Sequence, residues 1–359
     1  MSIATAMKSG SAEVRLRHFS PTQLIRRGKR YILARIMVVG PLDADSFADN
    51  VTDTLRRLGH DVRAAGPARA RPKSDRLANL ISILGDRLPR QDALLQRHLI
   101  AQERDFKPDV ILTTDRTIQP AVVRELRSGG AKIALWFPDH VSNMGRHDLF
   151  LAGYDRIFFK NPVLVRQLTS IHGVAATYMP EACNPSWHRP DADYGTVEEI
   201  ALVGNVHPTR ALLLDRMVRA GLPLRIYGPR LARWIDLPAL ESVHSGMSVH
   251  REQKARTFRS ARVVLNNLHP GEYAGVNCRL FEAAGSGAAA LTESREGLSD
   301  LFDEGNEVMT FASFDELVEK CNFLLSNRAA GAAMGDAAAR RAHRDHTYDV
   351  RLPTLLGSL

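Results

Sequence analysis

The chain has 359 residues, 44% of them hydrophobic and 25% charged, which is the balance of a soluble globular protein with room for two or three domains. This composition excludes collagen-like, disordered and disulfide-stapled proteins. The three cysteines lie far apart and form no C-x-x-C pair, which indicates a reducing compartment. The longest apolar runs are strand-sized, and the N-terminus has no apolar signal-peptide core, so we expect a cytoplasmic protein.

The net charge of +8 is concentrated at the N-terminus, where residues 1–30 hold seven basic residues against one acid. That segment carries +6, and the other 329 residues carry only +2. We interpret residues 1–30 as a basic extension. It is either a solvated leader or a patch that attracts an anionic membrane surface or an acidic acceptor. Nucleic acid is not an expected partner, because Phe19 is the one aromatic residue there and no stacking series exists.

From residue 31 the sequence alternates between apolar runs of strand length and helical patterns. The predicted strands cover residues 32–39, 61–64, 109–113, 132–136 and 156–159. The segments between them place apolar residues on one helical face. This order is typical of a doubly wound α/β domain, which we assign to residues 31–182.

In such a domain, ligands bind at the loops that follow the carboxyl ends of the strands. The loop after the predicted strand 132–136 carries the most chemistry, with Asp139 followed by His140. We predict that these two are the catalytic residues, acting as a base, an orienting group or a ligand of sugar hydroxyls. The alternative is an aspartate helix cap beside a hydrogen-bonded loop histidine.

Residues 183–198 are rich in proline, aspartate and asparagine, and we interpret them as an interdomain linker. A second α/β series occupies residues 199–343. Its predicted strands are 199–203, 222–228, 261–266, 288–292 and 307–310, and its predicted helices are 208–220, 277–285, 313–326 and 328–343. The chain lacks a G-x-G-x-x-G after either first strand, a P-loop and a G-x-S-x-G motif, which argues against a dehydrogenase, a P-loop ATPase and an α/β-hydrolase. A nucleotide bound in the cleft between two such domains is the remaining common use.

The most informative segment is a strand, a glycine-containing loop and a helix that begins near Asn277. The free backbone N–H groups and the positive dipole end at that helix start suit a diphosphate. Arg279 in the first turn would complete the anion site. Glu282, one turn further on, would accept hydrogen bonds from ribose hydroxyls. The structural alternative for Glu282 is an ion pair with Arg279.

The run N-C-R-L-F-E-A-A-G-S-G in this segment resembles the C-terminal domain of the CgeB-like glycosyltransferases, the spore maturation type within the group 1 glycosyltransferases. The motifs LVGNVHPTR, RIYG, KPDVILTTD, ALWFPDH and YDRIFFKN are similar to the same family, across about residues 31–351. The resemblance implies a GT-B fold, in which two Rossmann-like doubly wound α/β domains face a cleft. It also implies that residues 344–359 form a crossover helix packing back on the N-terminal domain.

The resemblance further implies a nucleoside-diphosphate sugar held by the second domain and an acceptor held by the first, with no cofactor and no bound metal. Arg210 and Arg279 match basic positions that face the diphosphate, and Glu282 matches the second glutamate of a pair on the donor ribose and sugar. The strand-end positions that line the nucleotide pocket are matched by Gly204, Asn205, Tyr227 and Gly228. The first glutamate of the pair is replaced by Ala274, with Glu272 two positions away.

Asp43-Ala44-Asp45 matches the D-x-D metal motif of another class of glycosyltransferase. We assign it no metal role, because the same triplet recurs at Asp191-Ala192-Asp193 in the predicted linker, and acids are favoured before a helix in any case.

The predicted function is transfer of a sugar from a nucleoside-diphosphate sugar to a hydroxyl of a glycan, a lipid-linked sugar or a protein. Arg210, Arg279 and the helix start at Asn277 would hold the leaving diphosphate, and Asp139 or His140 would serve the acceptor. Two alternatives stay open. One is a sugar-nucleotide epimerase of the same architecture, and the other is a non-catalytic binding protein, which the missing glutamate at position 274 permits.

Overall fold

The computed structural model describes residues 23–26, 29–70, 75–144, 147–190 and 195–359. Most of the predicted basic extension, and the second D-x-D triplet at 191–193, therefore lie outside the described residues. The last part of the extension forms an antiparallel pair of strands, β1 (Gln23–Arg26) and β2 (Lys29–Ile32). This pair was not predicted, although two residues that include a glycine separate its strands, as in many hairpins.

The first domain is built on a six-stranded parallel sheet with the order β4-β3-β5-β6-β7-β8. The strands are β3 (Arg35–Val39), β4 (Asp61–Gly66), β5 (Val110–Thr113), β6 (Lys132–Phe137), β7 (Arg156–Phe159) and β8 (Ala176–Tyr178). Ile36 and Val38 face one core and Met37 and Val39 face another, so the central strand β3 is covered on both sides. This explains its continuous apolar run. The edge strand β8 was not predicted, because three residues carry too little pattern.

The helices around this sheet are α1 (Phe47–Arg57), α2 (Asp75–Arg87), α3 (Pro89–Leu95), α4 (Arg97–Phe106), α5 (Pro120–Ser128) and α6 (Pro162–Ser170). Side-chain caps mark the starts of α1 and α6. The Ser46 hydroxyl accepts the Asp49 N–H at the start of α1, and the Asn161 side chain accepts the Leu164 N–H at the start of α6. These caps fix where the chain turns after β3 and β7, at the edge that forms the site.

The second domain has a five-stranded parallel sheet with the order β10-β9-β11-β12-β13. Its strands are β9 (Val197–Val203), β10 (Leu224–Tyr227), β11 (Ala261–Asn266), β12 (Ala290–Glu293) and β13 (Met309–Phe311). The helices are α7 (Pro208–Arg219), α8 (Pro238–Val243), α9 (Arg251–Ser260), α10 (Cys278–Gly285), α11 (Phe314–Ser326), α12 (Arg328–Asp345) and α13 (Tyr348–Leu356). The charged helix α9 was not predicted, because it buries only Lys254, Ala255 and Phe258. In the part of the chain that the structure describes, no helix is both long and apolar enough to cross a membrane.

The C-terminal helix α13 returns to the first domain, as the sequence predicted. Tyr348, Leu352 and Leu355 join the core formed by β3 and α1. The chain also passes between the domains at Cys183, next to the start of α13. There the Cys183 N–H donates to the His346 carbonyl at 3.0 Å, and the Tyr348 N–H donates to the Cys183 carbonyl at 3.1 Å. The first part of the predicted linker is therefore buried, because it packs against the start of α13.

Candidate active site

The carboxyl ends of the two sheets face each other across a cleft of about 730 Å³. Loops after β6 and β7 supply the wall from the first domain, and loops after β9 and β11, with the start of α10, supply the opposite wall. This is the edge at which doubly wound sheets bind ligands. Its lining residues from the two domains are Pro138, Asp139, His140, Asn143, Lys160, Glu181, Gly204, Asn205, His207, Arg210, His269, Glu272, Asn277, Cys278 and Arg279.

Of the two predicted glycines at the strand ends, Gly204 lines the cleft and Gly228 is not among its lining residues. Gly204 follows β9 with a φ of +123°, and a Cβ placed there would overlap the guanidinium of Arg279. A Cβ on Gly228, after β10, would overlap the carbonyl oxygen of Gly204. The two strand ends are thus in direct backbone contact, and a side chain at position 204 would displace the Arg279 guanidinium.

Arg210 lies in the first turn of α7 with its side chain buried. Its Nε donates to the Asn267 Oδ1 at 2.8 Å, its Nη2 donates to the Asn267 carbonyl at 2.6 Å, and its Nη1 donates to the Asn205 carbonyl at 2.5 Å. Burial, and after it the charge of Arg279, lower the pKa of Arg210 to about 9. The guanidinium is held rigidly in a position where its own charge is unfavourable.

Arg279 supplies the second positive charge. Its Nη1 donates to the Val203 carbonyl at 3.2 Å, and no carboxylate of the described residues forms an ion pair with it. Two neighbouring guanidiniums that repel each other, one of them partly desolvated, form an arrangement that a bound anion stabilises. Arg210 and Arg279, which were both predicted from the sequence, thus lie on the cleft wall.

The start of α10 also faces the cleft, but a protein carboxylate occupies part of it. Asn277 is the N-cap residue, and the Cys278 N–H donates to the Glu181 Oε2 at 3.0 Å. The Lys160 Nζ lies 3.4 Å from the Glu181 Oε2 and also forms an ion pair with Glu272. Burial raises the pKa of Glu181 to about 7, against the opposing charge of Lys160. A carboxylate from the first domain thus stands where an anion would contact the helix dipole.

Three histidines cross the cleft. The rings of His140 and His269 are stacked with centroids 4.0 Å apart, and His207 meets His269 edge-on at 4.9 Å. The His207 Nδ1 accepts the Arg210 N–H at 3.3 Å and so caps α7. Burial lowers the pKa of His207 to about 4, and burial together with the charge of His269 lowers the pKa of His140. His140 and His207 are therefore neutral at pH 7, and a neutral imidazole can accept a proton.

Asp139 sits between the cleft and a second cavity. Its Oδ2 accepts a hydrogen bond from the Asn143 Nδ2 at 3.0 Å and lies 3.7 Å from the Arg116 Nη1. The second cavity, of about 490 Å³, opens at the strand ends of the first domain and is lined by Arg69, Asp115 and Arg116 among others. Asp139 belongs to the lining of both spaces. A group held in the second cavity would reach the cleft past this carboxylate.

The structure directs two predicted donor-binding side chains away from the cleft. The Tyr227 hydroxyl donates to the Glu199 Oε1 at 2.8 Å, and its ring packs on the core of the second domain. Glu282 is buried against α9, where its Oε1 accepts from the Lys254 Nζ at 2.7 Å. It forms neither the expected contact with the cleft nor an ion pair with Arg279. The ion-pair partner of Glu282 is Lys254, which is distant in the sequence but buried next to Glu282 in the fold.

The cluster around Lys254 also bears on whether Asp45 of the D-x-D triplet binds a metal. Ligand atoms of Asp45, His188 and Glu282 lie within 4.8 Å of one another, as a metal site requires. The Lys254 Nζ is 2.6 Å from the Asp45 Oδ2 and 2.7 Å from the Glu282 Oε1, so its ammonium already forms ion pairs with both carboxylates. Burial, and after it Lys254, lower the pKa of His188 to about 3, so the same ammonium repels added cations. We interpret the cluster as a buried ion-pair contact between the domains.

Several cleft residues were not singled out from the sequence as site residues. Lys160 follows a predicted strand, which was a usable signal, but a single lysine after β7 carries no motif. Glu181 stands at the boundary of the predicted linker, and nothing local indicates that it reaches α10. His207 and His269 lie in predicted strand-end loops, and only the folded sheets bring them onto His140.

A family model described as glycosyl transferase-like matches residues 210–357. Among curated proteins, no sequence matches the chain. Solved structures are similar over nearly the whole chain. Sucrose-phosphate synthase from Thermosynechococcus elongatus is 12% identical with a TM-score of 0.66, covering 90% of this chain and 97% of that one. HepE of Anabaena in complex with UDP-glucose is 10% identical with a TM-score of 0.64, covering 91% of this chain and 100% of that one.

AviGT4, a glycosyltransferase involved in avilamycin A biosynthesis, is 16% identical with a TM-score of 0.59, covering 90% of this chain and 96% of that one. At these identities the likeness shows the fold. The chain has the two-domain GT-B architecture that the sequence predicted, and the cleft described above is the one between its domains.

Proposed function

We propose that the protein is a glycosyltransferase that moves a sugar from a nucleoside-diphosphate sugar to an acceptor hydroxyl. One observation carries the proposal: the guanidiniums of Arg210 and Arg279, which repel each other, both line the cleft wall of the second domain. A diphosphate supplies the missing negative charge. The glycosyl transferase-like match over residues 210–357 covers both arginines, and HepE, a similar structure, is described in complex with UDP-glucose.

On the donor side, we assign the diphosphate to Arg210, Arg279 and the start of α10 at Asn277. Positive charge and helix N–H groups that are already in place stabilise the leaving diphosphate as its bond to the sugar breaks. We assign the nucleotide to the strand ends at Gly204 and Asn205, which line the cleft, and at Gly228, which contacts the Gly204 backbone. We assign contact with the donor sugar to Glu272, because its side chain lines the cleft whereas that of Glu282 does not.

On the acceptor side, we assign His140 or Asp139 to the acceptor hydroxyl. His140 is neutral and lies at the junction of the two domains, so it can accept a proton. Asp139 lines the second cavity, which is placed to receive the acceptor beside the cleft. The acceptor is a glycan, a lipid-linked sugar or a protein.

The finer expectations from the sequence belong to the same proposal. We place the protein among the CgeB-like glycosyltransferases, working in the cytoplasm on polysaccharide or related acceptors without a bound metal or cofactor. The Lys254 contact supports a reaction without a bound metal, because its ammonium occupies the one described cluster whose ligand spacing would suit a metal. The basic residues of 1–30 support contact with an anionic membrane.

Release of nucleoside diphosphate tests the proposal. The full chain is incubated with a panel of nucleotide sugars, and the diphosphate and free sugar formed by slow transfer to water are measured. We expect one donor to be turned over, with a loss of about a hundredfold or more in Arg279→Ala and in His140→Ala if that residue acts as base. Arg233→Ala, an exposed arginine of the second domain, is the control. Turnover that survives in Arg279→Ala would contradict the assigned diphosphate site.

A further inference from the structure

Two consecutive helices of the first domain expose seven large apolar side chains. These side chains lie on α2, on α3 and at the turn between them, and each is 44–76% exposed. We call them the α2–α3 face: Leu77, Leu80, Ile83, Leu84, Leu88, Leu94 and Leu95. Apolar patches of this density on a folded protein mark sites that something else covers.

The spacing shows that the face is a property of the helix pattern and not of a few stray residues. Leu77, Leu80 and Leu84 recur at three- and four-residue intervals, so they form one stripe along α2. The adjoining side of α2 faces the protein, where Ala78 and Ile81 line the second cavity. The helix therefore turns its larger apolar surface outward.

The exposed charges around the face are mostly positive. Arg87, Arg90 and Arg97 are exposed beside it, and none of them forms an ion pair with the described residues. Two neighbouring acids pair with Arg69: buried Asp92 lies 2.8 Å from its Nη2, and Asp86, which is 51% exposed, lies 2.9 Å from it. The surface offered to solvent is consequently apolar and cationic together.

We propose that the α2–α3 face binds an anionic membrane surface. A helix with an apolar stripe bordered by arginines lies in the interface of a bilayer, with the stripe among the acyl chains and the arginines at anionic headgroups. A second copy of the chain fits the face less well, because a two-fold contact would bring the unpaired arginines of one copy towards those of the other. The net charge of +6 in residues 1–30 adds to the same attraction.

Membrane binding at α2 would bring acceptors to the active site, an inference that rests on the proposed function. The inner side of α2 lines the second cavity, and Asp139 connects that cavity to the cleft. A membrane on the outer side would place lipid-linked acceptors next to this entrance. The membrane contact itself involves no residue of the donor site, so it stands or falls separately.

Co-sedimentation of the full chain with vesicles tests the proposal. Vesicles of phosphatidylglycerol and phosphatidylcholine are compared with vesicles of phosphatidylcholine alone. We expect binding to the anionic vesicles that falls with added salt. Leu80→Asn combined with Leu84→Asn should weaken it about tenfold or more, and Arg87→Gln combined with Arg90→Gln should weaken it several-fold. Leu212→Asn and Arg233→Gln, exposed positions of the second domain, are the matched controls and should bind as the unchanged protein does.

Thermal melting of each variant shows that it folds. The proposal is overturned if the unchanged protein ignores anionic vesicles, or if both double variants bind as well as it does, which would assign the contact to residues 1–30 alone. It is also overturned if light scattering finds a dimer that the leucine variant converts to a monomer, because the face would then join two copies.

Discussion

The carboxylate of Glu181, from the first domain, accepts the N–H of Cys278 at the first residue of α10 in the second domain, at 3.0 Å. The proposed diphosphate site is thus partly filled by the protein's own anion, with Lys160 holding that anion in place. A donor diphosphate must share the helix start with this carboxylate or displace it. The charge state of Glu181 therefore controls how strongly the site attracts a diphosphate.

Removing this charge should tighten nucleotide binding. In Glu181→Gln at pH 8, we expect the affinity for the preferred nucleoside diphosphate to rise about three- to tenfold, because a nearby like charge is lost. Isothermal titration calorimetry measures the change. Glu304→Gln, an exposed position of the second domain, is the control. Weaker binding in Glu181→Gln would mean that the glutamate supports the diphosphate through Lys160 and does not compete with it.

Binding of the intact nucleotide sugar should depend on pH with a defined sign. Burial raises the pKa of Glu181 to about 7, so the group is neutral below that pH and charged above it. Affinity should therefore rise as the pH falls from 8 to 6. His207 does not contribute, because its pKa is lowered to about 4. A nucleotide sugar is the right probe, since its diphosphate bridge does not titrate in this range. Equal slopes in the unchanged protein and in Glu181→Gln would contradict the assignment.

Gly204→Ala should abolish nucleotide binding and should also lower the stability of the protein. The residue has a φ of +123°, and the new Cβ would displace the guanidinium of Arg279. We expect a loss of about 1–3 kcal/mol in the free energy of unfolding, together with a loss of nucleotide response. Gly221→Ala is the matched control, because Gly221 has a φ of +76° but nothing near its Cβ position. Urea unfolding and calorimetry together separate backbone strain from the displaced arginine, and nucleotide binding that survives in Gly204→Ala would contradict the geometry.

The contact between the domains at Lys254 should be costly to break. In Lys254→Met, two buried carboxylates lose their shared cation, and we expect the free energy of unfolding to fall by about 3–5 kcal/mol. Adding Asp45→Asn and Glu282→Gln to that variant should restore much of the loss, because no uncompensated charge then remains. Urea unfolding measures both variants. A gain in melting temperature of the unchanged protein on adding Mn²⁺ or Zn²⁺, removed by Asp45→Asn, would contradict the ion-pair reading and favour a metal.

Much of the fold could be predicted because both sheets are parallel and buried. Strands such as β3, β7 and β11 appear as continuous apolar runs, and prolines or capping side chains mark the starts of α6 and α7. The missed elements give weak signals for physical reasons. Strand β8 has three residues, and helix α9 is mostly charged because it buries one face only in part.

The candidate site divides along the same line. Asn277 and Arg279 were predicted from a helix start, which is a local feature, and Gly204 and Arg210 from the family resemblance. The structure places all four on the cleft. Glu282 points elsewhere because Lys254 and Asp45, which decide its direction, are distant in the sequence. Glu181 and the stack of His140 on His269 depend on how the two domains meet, and a local pattern contains no information about that.

The thermal stability of the full chain with UDP, GDP, dTDP, ADP or CDP tests the central claim most directly. A ligand that binds the native state alone stabilises it by about 2.7 kcal/mol at a hundredfold excess over its dissociation constant. We expect one of the five nucleotides to raise the melting temperature by several degrees, and we expect Arg279→Ala, but not Arg233→Ala, to lose the response. If none of the five shifts the melting curve at millimolar concentration, or if Arg279→Ala responds like the unchanged protein, the two arginines do not form a diphosphate site.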